Sequence, residues 1–422
     1  MKISIIGCGY VGTVTGVCFA DFGHDIVFYD IDQKKLDLLS RGESPIYEPS
    51  LDDLIRKNRE RLATTSDLTA AVRDTDITFI CVGTPSRDEG SIDLTYILSA
   101  AATIGKALRE TPDFHPIIVK STVFPGSTEG PIRSVIEEAS GKQAFVDFGL
   151  GSNPEFLREG TAVHDFCVPD RIVLGAMDAR TMRALGDLYA SFTCPKIETS
   201  IRTAEMIKYA SNAFLATKIS FANEIGNLAK KLGIDAEEVF TGVGLDNRIG
   251  PAFFRTGIGF GGSCFPKDVR ALIAGARGHG ENLQILHAAL QVNEDQPLKL
   301  VRLLQAHIPD LKGRRIGVLG LAFKPNTDDI RESRAIPVIQ ALLDAGARVI
   351  AYDPLAMEGF SKIFPQIEYA SSAQAVLAAD AVLITTEWEE FEHLNYSGTT
   401  VIDGRRIAAA SKTADIYEGV CW

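Results

Sequence analysis

The sequence predicts an α/β protein with two Rossmann-like, doubly wound parallel-sheet domains joined by a central all-helical domain with a long helix. Three observations carry this prediction. Short apolar runs alternate with helical patterns from Lys2 to about Pro195, β signals stop between about Ser200 and His307, and the alternation resumes near Gly313. With 422 residues, 45% hydrophobic and 23% charged, the chain has material for two or three domains. We place them at 1–195, 196–308 and 309–422.

In chain order the expected strands of the first domain are Lys2 to Ile6, Asp25 to Tyr29, Ile77 to Val82, Ile117 to Lys120 and Ile172 to Gly175. Ile201 to Leu232 then reads as one long helix, with Ile207, Phe214, Phe221 and Ile225 at helical spacing. A helix of that length suits a bridge between domains or subunits. Strands resume at Arg315 to Leu319, Arg348 to Ala351, Ala381 to Ile384 and Thr400 to Ile402. Lys2 to Asp30 and Arg315 to Asp353 form a weak internal repeat, each copy ending in an acid after its second strand. The second copy lacks the full glycine fingerprint and is expected to bind something else.

Bulk properties narrow the function classes. A formal net charge of −12 argues against a nucleic-acid partner, since it offers no basic face for a polynucleotide. No run approaches 18 apolar residues, and Met1-Lys2 leads straight into a strand, so we expect a soluble, cytoplasmic protein without a membrane partner. Seven cysteines, an odd number without CxxC or Cys/His spacing, point to reduced thiols and to no metal site.

Gly7, Gly9 and Gly12 follow the first strand and open a helix, and Asp30 ends the next strand 23 residues after Gly7. Such glycines permit a tight turn and close approach of a pyrophosphate to a helix N-terminus, while the acid accepts from a ribose 2′-hydroxyl. A carboxylate there repels a 2′-phosphate, which favours NAD over NADP and leaves FAD as the rival. Gly83-Thr84-Pro85-Ser86 and Ser121-Thr122 follow later strands and are candidates for the nicotinamide side, although either also reads as an ordinary turn.

Gly257 to Asp268 places Cys264 in a glycine-rich loop ahead of a helix. Backbone N–H groups and the positive helix end there stabilise a thiolate, and equally the oxyanion formed when it attacks a carbonyl. Cys8, Cys18 and Cys81 instead sit among core elements and read as small buried hydrophobes. Lys208 and Asn212, four apart on the long helix with Glu205 close by, share a face that suits either an oxyanion cradle or a solvated surface. Asn153-Pro154-Glu155 reads as an N-cap, a first-turn proline and a first-turn acid, with Glu159 one turn on. Acids at that position ordinarily just stabilise a helix.

Over essentially its whole length the chain resembles the UDP-glucose/GDP-mannose dehydrogenase family. The likeness rests on Gly7-x-Gly9-x-x-Gly12, Gly83-Thr84-Pro85, Ser121-Thr122, Asn153 to Glu159, Lys208 with Asn212, Gly261 to Asp268, and Phe323-Lys324 through Ser333. It implies an N-terminal NAD domain, a central domain forming a homodimer and a C-terminal domain for the sugar nucleotide. Cys264 would trap an aldehyde as a thiohemiacetal and then carry a thioester. Lys208 and Asn212 would stabilise oxyanions, and Thr122, Glu155 and Asp268 would position or deprotonate water. Gly7, Gly9, Tyr10, Val11, Gly12, Asp30, Lys35, Gly83, Thr84, Pro85, Ser121, Thr122, Glu159, Cys264 and Arg331 match positions around NAD. Glu155, Phe156, Leu157, Lys208, Asn212, Phe253, Gly257, Gly261, Phe323, Lys324 and Arg405 match substrate positions, and Arg248 matches an arginine contributed across the dimer.

Within the family, Ser263 and Lys267-Asp268 differ from the His and Asp-Pro of the acetamido-sugar branch. Pro169 to Val173, Asp246 to Gly250 and Phe260 look like the branch acting on UDP-glucose, whereas Val269 to Leu272 and the Cys421-Trp422 end also occur in the GDP-mannose branch. Two rivals stand beside these. The β-hydroxyacid dehydrogenases share the first two domains but need neither Cys264 nor a third, and a non-catalytic nucleotide-sugar binder would not need the retained thiol and lysine.

Overall fold

A computed structural model describes residues 1–422. By its internal contacts the chain divides into two compact units, Met1–Ser211 and Asn212–Trp422.

The first unit is built on one sheet of eight strands: β1 (Lys2–Ile6), β2 (Asp25–Tyr29), β3 (Leu62–Thr65), β4 (Ile77–Ile80), β5 (Pro116–Val119), β6 (Gly149–Ser152), β7 (Ile172–Ala176) and β8 (Lys196–Thr199). Their order is β3-β2-β1-β4-β5-β6-β7-β8. All neighbouring pairs are parallel except β6 with β7. Alternate residues of the central strands feed two separate cores. Ile3, Ile5, Phe28 and Phe79 pack on one face, while Ile6, Ile80, Ile117 and Val119 pack on the other. Burial of both faces explains why these strands are continuous apolar runs instead of alternating ones. The chain reverses its winding between β1 and β4, which opens a crevice at their carboxyl ends.

Three strands of this sheet escape the sequence reading. β3 and β8 are edge strands with polar, half-exposed residues, and β6 is Gly-Leu-Gly-Ser. Because β8 pairs with β7, the first sheet runs to Thr199, beyond the boundary expected at 195.

The second unit contains the rest of the long helix Ile201–Lys231, the helices Ala236–Gly244, Phe265–Gly278 and Gln284–His307, and a six-stranded sheet. The strands are β9 (Arg315–Leu319), β10 (Arg348–Tyr352), β11 (Glu368–Tyr369), β12 (Ala381–Ile384), β13 (Thr400–Asp403) and β14 (Ile416–Gly419), in the order β11-β10-β9-β12-β13-β14. Three of these helices share one core with this sheet: Ala222, Phe240 and Leu300 pack in the same cluster as Val318, Leu383 and Ile402.

The internal repeat is therefore topological, and its two acids differ in their surroundings. Asp30 accepts the Cys8 and Asp32 N–H groups at the rim of a cavity. Asp353 is fully buried and saturated, accepting from the N–H groups of Leu321, Ala322, Leu355 and Ala356 and from the Trp388 indole. It has no capacity left for a ribose.

Candidate active site

At the carboxyl ends of β1, β2 and β4 lies a cavity of about 450 Å³, lined among others by Gly7, Gly9, Asp30, Lys35, Val82, Gly83 and Tyr96. Each glycine of the fingerprint has its own reason. Gly7 has φ of 104°, a conformation side chains rarely adopt, and a Cβ on Gly12 would lie 1.9 Å from the Gly7 carbonyl oxygen. A Cβ on Gly9 would meet nothing within 4 Å, so the space above it is open to a ligand. Lys35 stands 3.5 Å from Asp30, placing a cation beside the acid. An open glycine turn at a helix start with a carboxylate across it fits the pyrophosphate and ribose of a dinucleotide.

Tyr10 and Val11 do not line this cavity. The Tyr10 hydroxyl donates to Glu48, a buried acid that also accepts the Gly160 and Ala162 N–H groups at 2.7 Å each, and Val11 packs on the core. Ser121 ties two strands together, donating to the Val82 carbonyl at 2.6 Å, and Thr84 donates to the Thr122 carbonyl at 2.9 Å. Pro85 and Glu159 lie outside the cavity lining too.

Beyond β6 the reading of Asn153 as a helix N-cap is overturned. Residues 153–160 form no helix, and the next one starts at Ala162. The cap signals fail because the Asn153 side chain is taken by distant partners: it donates to the Val173 carbonyl at 2.9 Å and accepts the Tyr189 hydroxyl at 2.6 Å. Glu155 is buried and is not a helix-dipole residue. It accepts the Leu157 N–H at 2.5 Å and the Lys208 ammonium at 2.9 Å. Burial opposes its ionisation, but the Lys208 charge and hydrogen bond outweigh that and hold the carboxyl below its ordinary range. The Phe156 ring lies 5.3 Å from the Lys208 ammonium and is stacked by Arg171 at 3.8 Å. Lys208 therefore sits at the end of an apolar, ion-paired pocket and not on a solvated face.

One turn along the same helix Asn212 is buried as well, donating to Asp268 at 2.7 Å. Lys267 donates to the other Asp268 oxygen at 2.6 Å. Asp268 lies in the first turn of Phe265–Gly278, and its N–H bonds to the carbonyl of Cys264, the residue that caps that helix. The thiol thus sits at the positive helix end as expected, half-buried, with the Ser263 hydroxyl 3.5 Å from Sγ. The glycine loop before it is pressed against the segment around Phe323 and Glu332. A Cβ on Gly261 would lie 2.2 Å from the Glu332 carbonyl oxygen, and one on Gly262 would lie 2.7 Å from the Phe323 ring. Three buried amides hold the loop: Asn223 accepts the Gly257 N–H, Gln296 donates to the Gly257 carbonyl, and Asn293 bonds both backbone groups of Phe260. Sequence reasoning missed all three, although an amide on an otherwise apolar helix face is a readable signal.

A second cavity, about 280 Å³, is lined by Phe253, Gly257, Gly261, Phe323, Lys324 and Arg405, with Arg255 and Glu387 beside them. It gathers six expected substrate positions at the carboxyl ends of β9, β12 and β13. Glu387 was not foreseen. It stands 3.3 Å from both Arg255 and Arg405, and its place three residues past the end of β12 was the available clue. Among the expected residues that line neither cavity, the exposed Arg248 is paired with Asp246, and Arg331 is paired with Asp329 in the second unit.

Three family models cover most of the chain: the NAD-binding domain of the UDP-glucose/GDP-mannose dehydrogenase family at residues 1–193, its central domain at 202–295 and its UDP-binding domain at 317–410. The chain is 49% identical to a UDP-glucose 6-dehydrogenase of Haloferax volcanii, with 100% of both chains covered. It is 38% identical to a GDP-mannose 6-dehydrogenase of Pseudomonas aeruginosa, again over 100% of both. A UDP-glucose dehydrogenase from Pyrobaculum islandicum superposes with a TM-score of 0.96 at 47% identity, covering 100% of this chain and 98% of that one.

Proposed function

Because this chain belongs to the UDP-glucose/GDP-mannose dehydrogenase family, an NAD-dependent oxidoreductase family, we propose that it oxidises the primary alcohol of UDP-glucose to the carboxylate of UDP-glucuronate in two steps. The observation that carries this reading is Cys264 at the N-terminus of a helix whose first turn holds the buried Asp268–Asn212 pair. A single oxidation of an alcohol has no use for a thiol so placed, whereas an aldehyde kept bound for a second oxidation needs a nucleophile. The glycine turn and Asp30 would hold NAD⁺, which takes up one hydride in each oxidation.

In this reading the alcohol loses its proton and a hydride to become an aldehyde. The Cys264 thiolate adds to that carbonyl carbon, forming a C–S bond and an oxyanion that becomes the thiohemiacetal hydroxyl. Loss of a second hydride and the hydroxyl proton leaves a thioester. Water then attacks, the C–S bond breaks, and the thiolate departs as the carboxylate forms. Lys208 and Asn212, one turn apart on one helix, supply donors to the oxyanions. Thr122, Glu155 and Asp268 position or deprotonate water. Lys324 and Arg405 offer cationic donors to the diphosphate within the smaller cavity.

A homodimer is supported by Phe214, Phe221 and Leu228, spaced seven apart on the long helix and 65%, 49% and 53% exposed. Such a stripe is a surface for a second copy, to which Arg248 would contribute. No helix is long and apolar enough to cross a membrane, and all seven cysteines are thiols, which fits a reducing cytoplasm.

The test is NADH yield with limiting UDP-glucose and, separately, limiting GDP-mannose. Two NADH per UDP-glucose, with none from GDP-mannose, is the expected result. One NADH per sugar overturns the double oxidation, and activity with GDP-mannose alone overturns the choice of sugar.

A further inference from the structure

Lys120 follows β5 directly, one residue before Ser121, and no step above uses it. Its side chain is 4% exposed. The ammonium donates to Asn153 Oδ1 at 2.9 Å and to the Asn153 carbonyl oxygen at 3.4 Å. The same Oδ1 takes the Tyr189 hydroxyl, and the Asn153 amide holds the Val173 carbonyl, so the residue is fixed from three directions. Two residues further on is Glu155, which lines the same small cavity as Lys120 and is ion-paired with Lys208. The titratable groups that face Lys120 are the Cys81 thiol just past β4, the Tyr189 hydroxyl, Glu155 and the Lys208 ammonium.

Burial of an ammonium costs several kcal/mol, and a methionine of similar length would fill the same space without that cost. Anchoring Asn153 needs only a hydrogen-bond donor, not a charge. What the charge adds is a second cation near a carboxylate already held by the Lys208 ammonium and the Leu157 N–H. Burial pulls Lys120 down to about 8, a cost the Glu155 charge partly offsets.

We propose that Lys120 is a positioning residue: through Asn153 it fixes the turn that carries Glu155, and its charge keeps that carboxylate ionised when Lys208 turns to a reacting oxygen. The last clause rests on the catalytic reading given above. The charge effect does not, because it is measured without substrate; the anchoring is read from kcat and does.

The decisive experiment follows protonation of Glu155 by infrared difference spectroscopy on the substrate-free protein, with Glu155→Gln to identify its band. In Lys120→Met the carboxylate should protonate at a measurably higher pH than in wild type, as expected when a nearby cation is removed. The acidic limb of kcat should move with it, while NAD⁺ affinity stays within about twofold, since Lys120 does not line the dinucleotide cavity. A folded Lys120→Met protein with an unmoved Glu155 band overturns the proposal. Should that variant not fold, Asn153→Ala keeps the charge but releases the turn: kcat should fall about 10- to 100-fold while Glu155 titrates as in wild type. Unchanged kcat in Asn153→Ala overturns the anchoring role.

Discussion

Lys208 and Glu155 form an ion pair of 2.9 Å in which the side chains are only 4% and 7% exposed. Removing one partner of a buried pair strands the other charge, so Lys208→Met should cost about 3–5 kcal/mol of stability at neutral pH. The pH dependence has a definite sign. Glu155 is held below its ordinary value of 4.5, so the pair stabilises fully above that pH, and the contribution fades as pH falls through the depressed folded-state value. Urea unfolding of wild type and Lys208→Met across the acidic range checks both statements: the variant should be weaker at pH 7 and should lack this acid-side loss.

Gly9 and Gly12 separate binding from folding within one turn. A Cβ on Gly9 enters open space, whereas one on Gly12 would have to occupy the position of the Gly7 carbonyl. Gly9→Ala should leave thermal stability within about 0.5 kcal/mol of wild type while weakening NAD⁺ binding about tenfold or more, and Gly12→Ala should lose both. Calorimetric NAD⁺ titration beside thermal unfolding distinguishes them. A Gly9→Ala protein that binds NAD⁺ normally would remove the pyrophosphate from above that glycine.

What was legible in the sequence was what local geometry dictates. The glycine turn and the thiol at a helix start declare themselves within a few residues, and Asp30 at the end of the very next strand, because turn and helix-start chemistry are local. The misread parts depend on distant neighbours. Asn153 carries every local mark of an N-cap, yet Val173, Tyr189 and Lys120 claim its side chain. β6 is invisible as Gly-Leu-Gly-Ser because its glycines answer to other strands and helices: a Cβ on Gly149 would lie 2.1 Å from the Thr181 hydroxyl. Asp353 mirrors Asp30 in sequence and in topology, and only the crowd of N–H groups around it shows that it holds its own loop.

Glu205 on the long helix accepts the Gly126 N–H at 2.6 Å and the Thr128 N–H at 3.1 Å, and burial raises its carboxyl to about 7 despite those bonds. An acid raised on folding stabilises the native state below its unfolded value of 4.5, and that stability is lost as pH rises through about 7. The full effect is about 3 kcal/mol at 1.36 kcal/mol per pH unit. Glu205→Gln should flatten the stability profile between those values, so that the gap between variant and wild type changes in the variant's favour from pH 5 to pH 8. Denaturant midpoints at the two pH values decide it, and parallel profiles would place the acid's titration elsewhere.

Cys264→Ser tests the covalent chemistry by keeping a nucleophilic atom while changing its leaving ability. The hydroxyl stays at the same helix end, but an alcohol of high pKa is scarcely ionised there, whereas a thiol of pKa about 8.5 is a few per cent thiolate before any assistance. Attack on the aldehyde should therefore slow, and any oxygen ester that forms should hydrolyse far more slowly than the thioester it replaces. We expect turnover to fall by about 10³-fold or more, with NADH per sugar dropping from two toward one and either aldehyde or a protein-bound ester accumulating. Mass spectrometry of the quenched protein detects the ester, and a carbonyl-trapping reagent detects the aldehyde. If the serine protein instead turned over normally to the acid, the aldehyde would have to be oxidised as its hydrate, and Cys264 would owe its place at the helix end to packing alone.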